Sequence, residues 1–387
     1  MKNIKLLNAI ADSGLDLLKE AGYHLGTDVD NPDGIMVRSA DMHSTAFGDR
    51  LLAIARAGAG VNNIPIERCT QQGIVVFNAP GANANGVKEL TVCALLLASR
   101  DIVGGINWAQ GLKGQDDVAK QVEKGKGAFA GVEIMGKTLG VVGLGAVGGQ
   151  VANVGHDLNM QVLGCDPYLS VDAAWRLSHA IGKASTFDDL YTQSDYLSLH
   201  VPSTPDTKGM INKETIARMK PGVRIINMAR GDLVNNDDIK EALSSGQVAR
   251  YVTDFPTEDL LGVPGVITIP HLGASTEEAE DNSALMAAKE LIAYLETGNI
   301  SNSVNFPEAS MQRLGDSRIC VLHMNIPKVL AGLASAISEK GINIEHMLNR
   351  SRGDAAYTII EISGDVSPRL VENIMAIEGV IRVNLFV

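Results

Sequence analysis

The sequence predicts an α/β protein of helix-covered parallel sheets that ends in a smaller unit of different pattern. Three observations predict it. Strand-like and helix-like stretches alternate from the N-terminus onward. A glycine-patterned turn from strand to helix, Leu139-Gly-Val-Val-Gly-Leu-Gly-Ala-Val-Gly148, stands near the middle of the chain. Beyond about residue 318 the order changes to β-α-β-β-α-β.

The elements follow in order. Residues 5–10 read as a strand, and 12–21 as a helix with Leu15, Leu17 and Leu18 on one stripe, stopped at Gly22. Apolar runs predict buried strands at 34–39, 52–57 and 74–78, with a short Pro-started helix over 65–72 that ends at Gly73. This alternation makes a small parallel domain. A long helix is expected over 89–110, and a polar, glycine-rich surface loop over 113–131. The central unit then runs from about 132 to 276, with strands at 139–142, 160–166, 196–201, 223–228, 251–255 and 266–270; Asn159 stands where its first helix must stop. Ser275-Thr-Glu-Glu278 reads as a capping box opening a second long helix, which stops at Gly298. One long helix entering the central unit and one leaving it imply an inserted domain, a hinge and a cleft. The expected division is 1–92, 93–284, a return helix over 285–305, a linker over 306–317 and a last domain over 318–387.

Composition narrows the function. At 387 residues the chain is long enough for two or three domains of ~150 residues each. A net charge of −12 argues against nucleic acid and against anionic membranes as partners. An acidic protein that binds an anion must therefore gather positive charge locally. Cys69, Cys93, Cys165 and Cys320 are scattered through apolar surroundings and read as reduced core residues of a cytoplasmic protein. No apolar run approaches a membrane span, residues 1–10 are too short a run for a signal peptide, and no His/Cys/Asp cluster has metal-ligand spacing.

The glycine turn carries the first chemistry. Gly143, Gly145 and Gly148 have G-x-G-x-x-G spacing: one for the tight turn, one for approach of a pyrophosphate, one for close helix packing. The following helix offers free N–H groups to phosphates. Asp166, at the end of the next strand, is placed to accept both ribose hydroxyls; its charge would repel a 2′-phosphate, so NAD is expected rather than NADP. The unit is thus a Rossmann-type dinucleotide domain. Three later strand ends supply reactive groups. Asn227-Met-Ala-Arg-Gly231 places Arg230 where a guanidinium can hold a carboxylate bidentately. Thr253-Asp-Phe-Pro-Thr-Glu258 adds two acids, and Pro270-His-Leu-Gly-Ala-Ser275 adds His271, a candidate acid–base group. Each alone reads as structural; together, downstream of a dinucleotide turn, they read as catalytic.

These motifs resemble the D-isomer-specific 2-hydroxyacid dehydrogenases along the whole chain. The resemblance implies a flavodoxin-like substrate domain around the inserted Rossmann domain, and an ACT-like domain at the C-terminus. It implies that Arg230 binds the substrate carboxylate and carbonyl oxygen, that His271 is the general acid/base on the 2-hydroxyl, and that Glu258 pairs with His271. Asp254 would meet the nicotinamide carboxamide, and Ala146, Val147, Val201, Pro202 and Ala229 would complete the NAD site. Val37-Arg-Ser39 resembles the phosphate-binding strand end of members that oxidise 3-phosphoglycerate, the first step toward serine; Arg38 and Ser39 would then hold the phosphate. Phe77-Asn-Ala-Pro-Gly-Ala-Asn83 and Lys88-Glu-Leu90 resemble the family's substrate-side loop, so Asn83 would line the site. Asn62 departs from the family's usual Asp, at what resembles a structural turn. A homodimer or homotetramer is also implied. In the ACT-like domain, His323, Asn325 and Asn343 match positions that hold an amino-acid effector, serine, but Lys328 stands where glycine is usual. An assembly role without a ligand is the alternative there. Two rival readings stay open: a reductase of the same family acting on glyoxylate, hydroxypyruvate or D-lactate, and a non-catalytic NAD-responsive binding protein.

Overall fold

A computed structural model describes residues 2–386 and divides the chain into two compact units. One comprises the residues up to Asn83 together with those from Glu277 onward; the other is Ala84–Thr276. The division thus falls at Asn83 and Glu277, not at the expected 92 and 284, and the C-terminal domain belongs to the first unit.

In the first unit, β1 (Asn3–Leu7), β2 (His24–Gly26), β3 (Gly34–Val37), β4 (Ala53–Arg56) and β5 (Val75–Phe77) form a parallel sheet in the order β2-β1-β3-β4-β5. That is the flavodoxin-like order. Strands β3 and β5 are buried throughout, as their unbroken apolar runs require of strands covered on both faces. Helix Asp12–Glu20 and the 21-residue helix Glu277–Thr297 contribute to the same core. Gly22 and Gly298 stop these helices with φ of 83° and 69°.

The C-terminal part is a β-α-β-β-α-β unit. Strands β13 (Ser317–Met324), β14 (Ile344–Arg352), β15 (Ala355–Ile362) and β16 (Val380–Phe386) pair antiparallel in the order β14-β15-β13-β16, with helices Val329–Ser338 and Pro368–Met375. Strand alternation splits its core. Ile319, Val321, Ile360 and Ile362 face Leu333, Ile337 and Leu370, whereas Cys320, Leu322, Tyr357 and Ile359 join a cluster that includes Phe77 and Tyr294. The expected linker is therefore packed structure. Phe306 is buried, and Ala309 exchanges two backbone hydrogen bonds with Ile300 (2.8 and 3.0 Å). Arg318 fastens the joint. It is fully buried against Glu361 (Nη2 to Oε1 2.5 Å) and also donates to the carbonyls of Thr297 (2.8 Å) and Met311 (2.9 Å). Burial would raise the Glu361 carboxyl, but Arg318 and the N–H groups of Leu314 and Gly315 hold it below its ordinary range.

The second unit is a seven-stranded parallel sheet: β6 (Thr138–Val142), β7 (Gln161–Cys165), β8 (Gly182–Lys183), β9 (Tyr196–Leu199), β10 (Val223–Asn227), β11 (Val248–Thr253) and β12 (Val266–Thr268). Its order, β12-β11-β10-β9-β6-β7-β8, is the Rossmann order extended by one strand. The expected long helix is two, Ala84–Ser99 and Ile102–Gln110. The Ser99 hydroxyl bonds back to Leu95 O, and Asp101 caps the second helix through Gly104 N. The expected loop over 113–131 contains helix Val118–Gly125 and a 3₁₀ turn, Lys126–Phe129. Asn159 adopts φ 58°, the left-handed stop its position predicts. Cys69, Cys165 and Cys320 are buried, but Cys93 is exposed on its helix, contrary to the core position expected. No helix among the described residues is long and apolar enough to cross a membrane.

One buried acid sets a pH dependence for the first unit. Glu290, on helix Glu277–Thr297, is 6% exposed; one oxygen accepts from Asn302 (2.7 Å) and the other has no hydrogen-bond partner among the described residues. Burial pushes its carboxyl up from 4.5 to about 8, against the Asn302 bond. Between those values the unfolded chain has lost a proton that the folded chain keeps, so stability falls as pH rises through the window and levels off above it. Unfolding free energy measured at about pH 5.5 and about pH 8.5 should drop by up to a few kcal/mol in the native chain. Glu290→Gln should remove this drop; parallel pH curves for the two proteins would contradict it.

Candidate active site

The glycine turn follows β6. Gly143 has φ 85°, and a Cβ there would lie 2.7 Å from the His200 carbonyl oxygen, so only glycine fits. A Cβ on Gly148 would overlap the Gly143 carbonyl. Around Gly145 the opposite holds: among the described residues nothing lies within 4 Å of where its Cβ would be. Gly145 precedes helix Ala146–Asp157, and no side chain caps that terminus. The N–H groups of Ala146, Val147 and Gly148 thus open the helix at an uncapped end, beside a glycine whose outer face is free. This is what a dinucleotide pyrophosphate requires. Asp166 stands just past β7. Its Oδ2 accepts the Leu144 N–H (2.9 Å) and its Oδ1 the Tyr168 N–H (2.9 Å), so the carboxylate is fixed to the glycine turn itself. Val201 and Pro202 follow β9; the Val201 side chain lines the turn at Gly143.

At the end of β10, buried Asn227 builds the loop that carries Arg230. Its Oδ1 accepts the Ala229 N–H (3.2 Å), and its Nδ2 donates to Arg230 O (2.8 Å). The Arg230 side chain is exposed and donates to Ala229 O (2.6 Å). Asp254, at the end of β11, is 1% exposed, and its Oδ1 has no hydrogen-bond partner among the described residues. Burial raises its carboxyl, while the neighbouring His271 and Arg230 pull it down. His271 is exposed just after β12, with the Phe255 ring edge-on to it at 4.8 Å. Asp254, Phe255, His271 and Gly231 line a pocket of about 750 Å³.

The structure sets Arg230 and His271 in the electrostatic neighbourhood of Asp254. Glu258 is exposed at the start of a 3₁₀ turn, Glu258–Leu260, and among the described residues no hydrogen bond or ion pair joins it to His271. The turn is anchored elsewhere. Leu260 is buried, and Asp259 binds Lys240 (3.1 Å) and Thr257 (2.7 Å). The acid that the structure sets in the electrostatic neighbourhood of His271 is the buried Asp254, and Glu258 keeps the pairing role only as what the resemblance implies.

The first unit carries the cations. Arg38 leaves the end of β3 and is ion-paired with Glu280; both side chains are about 40% exposed. Ser39 and Ala40 donate their N–H groups to Asn8 Oδ1 (3.0 and 2.6 Å), so the backbone donor at Ser39 is already used. Arg56, at the end of β4, donates from Nε to Arg38 O (3.0 Å). Its guanidinium pKa is lowered by burial and by Arg38. Sequence reasoning missed Arg56, although an arginine closing the strand beside β3 was there to be read. The loop 78–83 is tied to the segment after Arg56 through Asn78 Nδ2 to Ala59 O (2.6 Å) and Ala79 N to Gly58 O (3.0 Å). Asn83, half-buried, ends it.

In the C-terminal domain His323 is 3% exposed and bonded on both ring nitrogens, to Met324 O and Thr358 Oγ1 (2.8 Å each). Asn325 and Asn343 are exposed. Lys328 has φ 74°, the left-handed conformation that favours the glycine usual there.

Residues 105–273 match the family described as D-isomer specific 2-hydroxyacid dehydrogenase, NAD binding domain. The chain is similar to D-3-phosphoglycerate dehydrogenase of Escherichia coli K12, with 31% identity across 98% of this chain and 96% of the other. It is also similar to the enzyme of that name from Archaeoglobus fulgidus, 36% identical over 76% of this chain and 56% of the relative. Among solved structures, NAD⁺-bound 3-phosphoglycerate dehydrogenase of Entamoeba histolytica matches with a TM-score of 0.61 and 25% identity, covering 79% of this chain and 98% of that one. A fixed carboxylate beside an uncapped glycine turn, and a histidine and an arginine around a buried acid, fit that kinship: the chain belongs to the D-isomer-specific 2-hydroxyacid dehydrogenases, and its cofactor is NAD.

Proposed function

We propose that the chain oxidises 3-phospho-D-glycerate to 3-phosphohydroxypyruvate, the first step toward serine. One observation carries the choice of substrate: in a protein of net charge −12, Arg38 and Arg56 stand together at the C-terminal ends of adjacent strands, where open α/β sheets bind ligands. An unphosphorylated 2-hydroxy acid needs no such pair. The near full-length likeness to E. coli D-3-phosphoglycerate dehydrogenase supports the same choice. Bound at the glycine turn, NAD supplies the acceptor for the C2 hydride. Arg230 holds the substrate carboxylate and steadies the oxygen at C2, and His271 takes the 2-hydroxyl proton. The nearby Asp254 charge, which lines the same pocket, favours the imidazolium that results, and the family resemblance assigns Glu258 as the partner of His271. Arg38 and Arg56 receive the phosphoryl group, with the Ser39 hydroxyl and Asn83 beside them.

For the C-terminal domain, the saturated ring of His323 and the strained Lys328 favour an assembly role, in a homodimer or homotetramer, over serine binding. The unpaired cysteines agree with a cytoplasmic setting.

NADH formation tests the reading, with 3-phosphoglycerate measured beside D-glycerate, D-lactate and D-2-hydroxyglutarate. Turnover of the phosphorylated acid at the highest kcat/KM is expected. Preference for an unphosphorylated acid would move the enzyme to another substrate of the family, and NAD binding without turnover of any would favour the binding-protein reading.

A further inference from the structure

We propose that Glu280 is a built-in competitor for the anion site at Arg38, and that it sets the charge a ligand must carry to enter. The proposal rests on the reading that Arg38 receives a phosphoryl group. It starts from the pairing of Arg38 with Glu280 across 242 positions of sequence, in a unit where the arginine is otherwise poised beside Arg56. At about 40% exposure on each side the pair is solvent-screened, and such pairs are weak. A carboxylate with one negative charge therefore holds the guanidinium loosely. A dianionic phosphoryl group, able to bind the same fork with two oxygens, displaces it.

The position of Glu280 makes release inexpensive. It lies in the first turn of helix Glu277–Thr297 with Glu277 and Glu278, where the positive end of the helix dipole favours an anion even after Arg38 has turned away. Asn8, by contrast, is neutral and bonded to two N–H groups, so it stays and preserves the strand end. The consequence is selectivity. A ligand without a strong anion meets a neutral Arg38–Glu280 pair and gains nothing from Arg38, and only a phosphoryl-bearing ligand opens the site. Glu280 is thus a specificity-determining residue that need not touch the reacting atoms.

The test compares the intact native chain with Glu280→Gln, Glu278→Gln, Arg38→Ala and the Arg38→Ala/Glu280→Gln double variant. Inorganic phosphate affinity is read by calorimetric titration without turnover, and KM for 3-phosphoglycerate is read separately. Glu280→Gln should tighten phosphate and lower KM by about fivefold, a gain that vanishes in the double variant. Glu278→Gln removes the same charge from the same turn and should change phosphate affinity by less than about twofold. Unchanged or weaker phosphate binding in Glu280→Gln, with Arg38→Ala still losing affinity, overturns the proposal alone. An equal gain in Glu278→Gln also overturns it, because the effect is then one of general charge. If Arg38→Ala alters neither phosphate affinity nor KM, the underlying assignment of Arg38 fails, and the proposal with it.

Discussion

Replacing His271 with Asn should lower kcat by about 10²–10⁴-fold while leaving NAD affinity within about twofold. The side chain sits after β12, edge-on to Phe255 and near the buried Asp254 carboxylate. Asparagine keeps polarity and approximate size but cannot take the 2-hydroxyl proton. The groups assigned to NAD, the uncapped turn at Gly145 and the Asp166 carboxylate, are fixed by their own backbone bonds and do not depend on the histidine. Initial rates of NADH formation, with NAD titrated separately, check both halves. A variant of near-native kcat would refute the assigned role. The same assay ranks the acids: Asp254→Asn should cost more turnover than Glu258→Gln if the observed geometry is the working one.

The second large effect is on stability. Arg318→Met should destabilise the chain by about 3–5 kcal/mol, because it leaves the buried Glu361 carboxylate without its counter-charge. Both side chains are fully buried, and the guanidinium also satisfies carbonyls at the end of helix Glu277–Thr297 and in the segment before β13. Removing the charge from both partners, in Arg318→Met/Glu361→Met, should recover part of the loss, since desolvating the pair offsets much of its attraction. Denaturant unfolding of the three proteins gives the comparison. A single variant that loses less than about 1 kcal/mol, or a double variant less stable than the single, would show that the ion pair does not fasten the joint.

The contrast between these two regions shows what the sequence discloses. The Rossmann turn was legible because its demands are local: a positive φ at Gly143, a helix start that no side chain caps, a carboxylate at the next strand end. The C-terminal β-α-β-β-α-β order was legible for the same reason, since period-2 and helical patterns alternate cleanly along β13 to β16. Strands β2 and β8, three and two residues long, carry too little pattern to be found. The depth of the two acids after β11 was hidden as well. Asp254 and Glu258 are four positions apart, and only the anchoring of Leu260 and Asp259 leaves one buried beside His271 and the other in solvent. Least legible were the partners of Arg38 and Arg318, because Glu280 and Glu361 lie far along the chain and no periodicity encodes such contacts. The linker expected over 306–317 failed on this ground. Its polar composition conceals Phe306 and the Ile300–Ala309 pairing, which only the folded unit creates.

The central claim is that the cations at the ends of β3 and β4 select a phosphorylated 2-hydroxy acid. The most direct measurement is kcat/KM for 3-phosphoglycerate relative to D-glycerate, in the native chain and in Arg38→Ala. The two substrates share C1 and C2 chemistry and differ in the phosphoryl group alone. The ratio should be high in the native chain and fall at least tenfold in the variant, chiefly through KM for the phosphorylated acid, with D-glycerate little affected. A ratio indifferent to Arg38 would contradict the claim, while leaving the NAD site and the roles of Arg230 and His271 to stand.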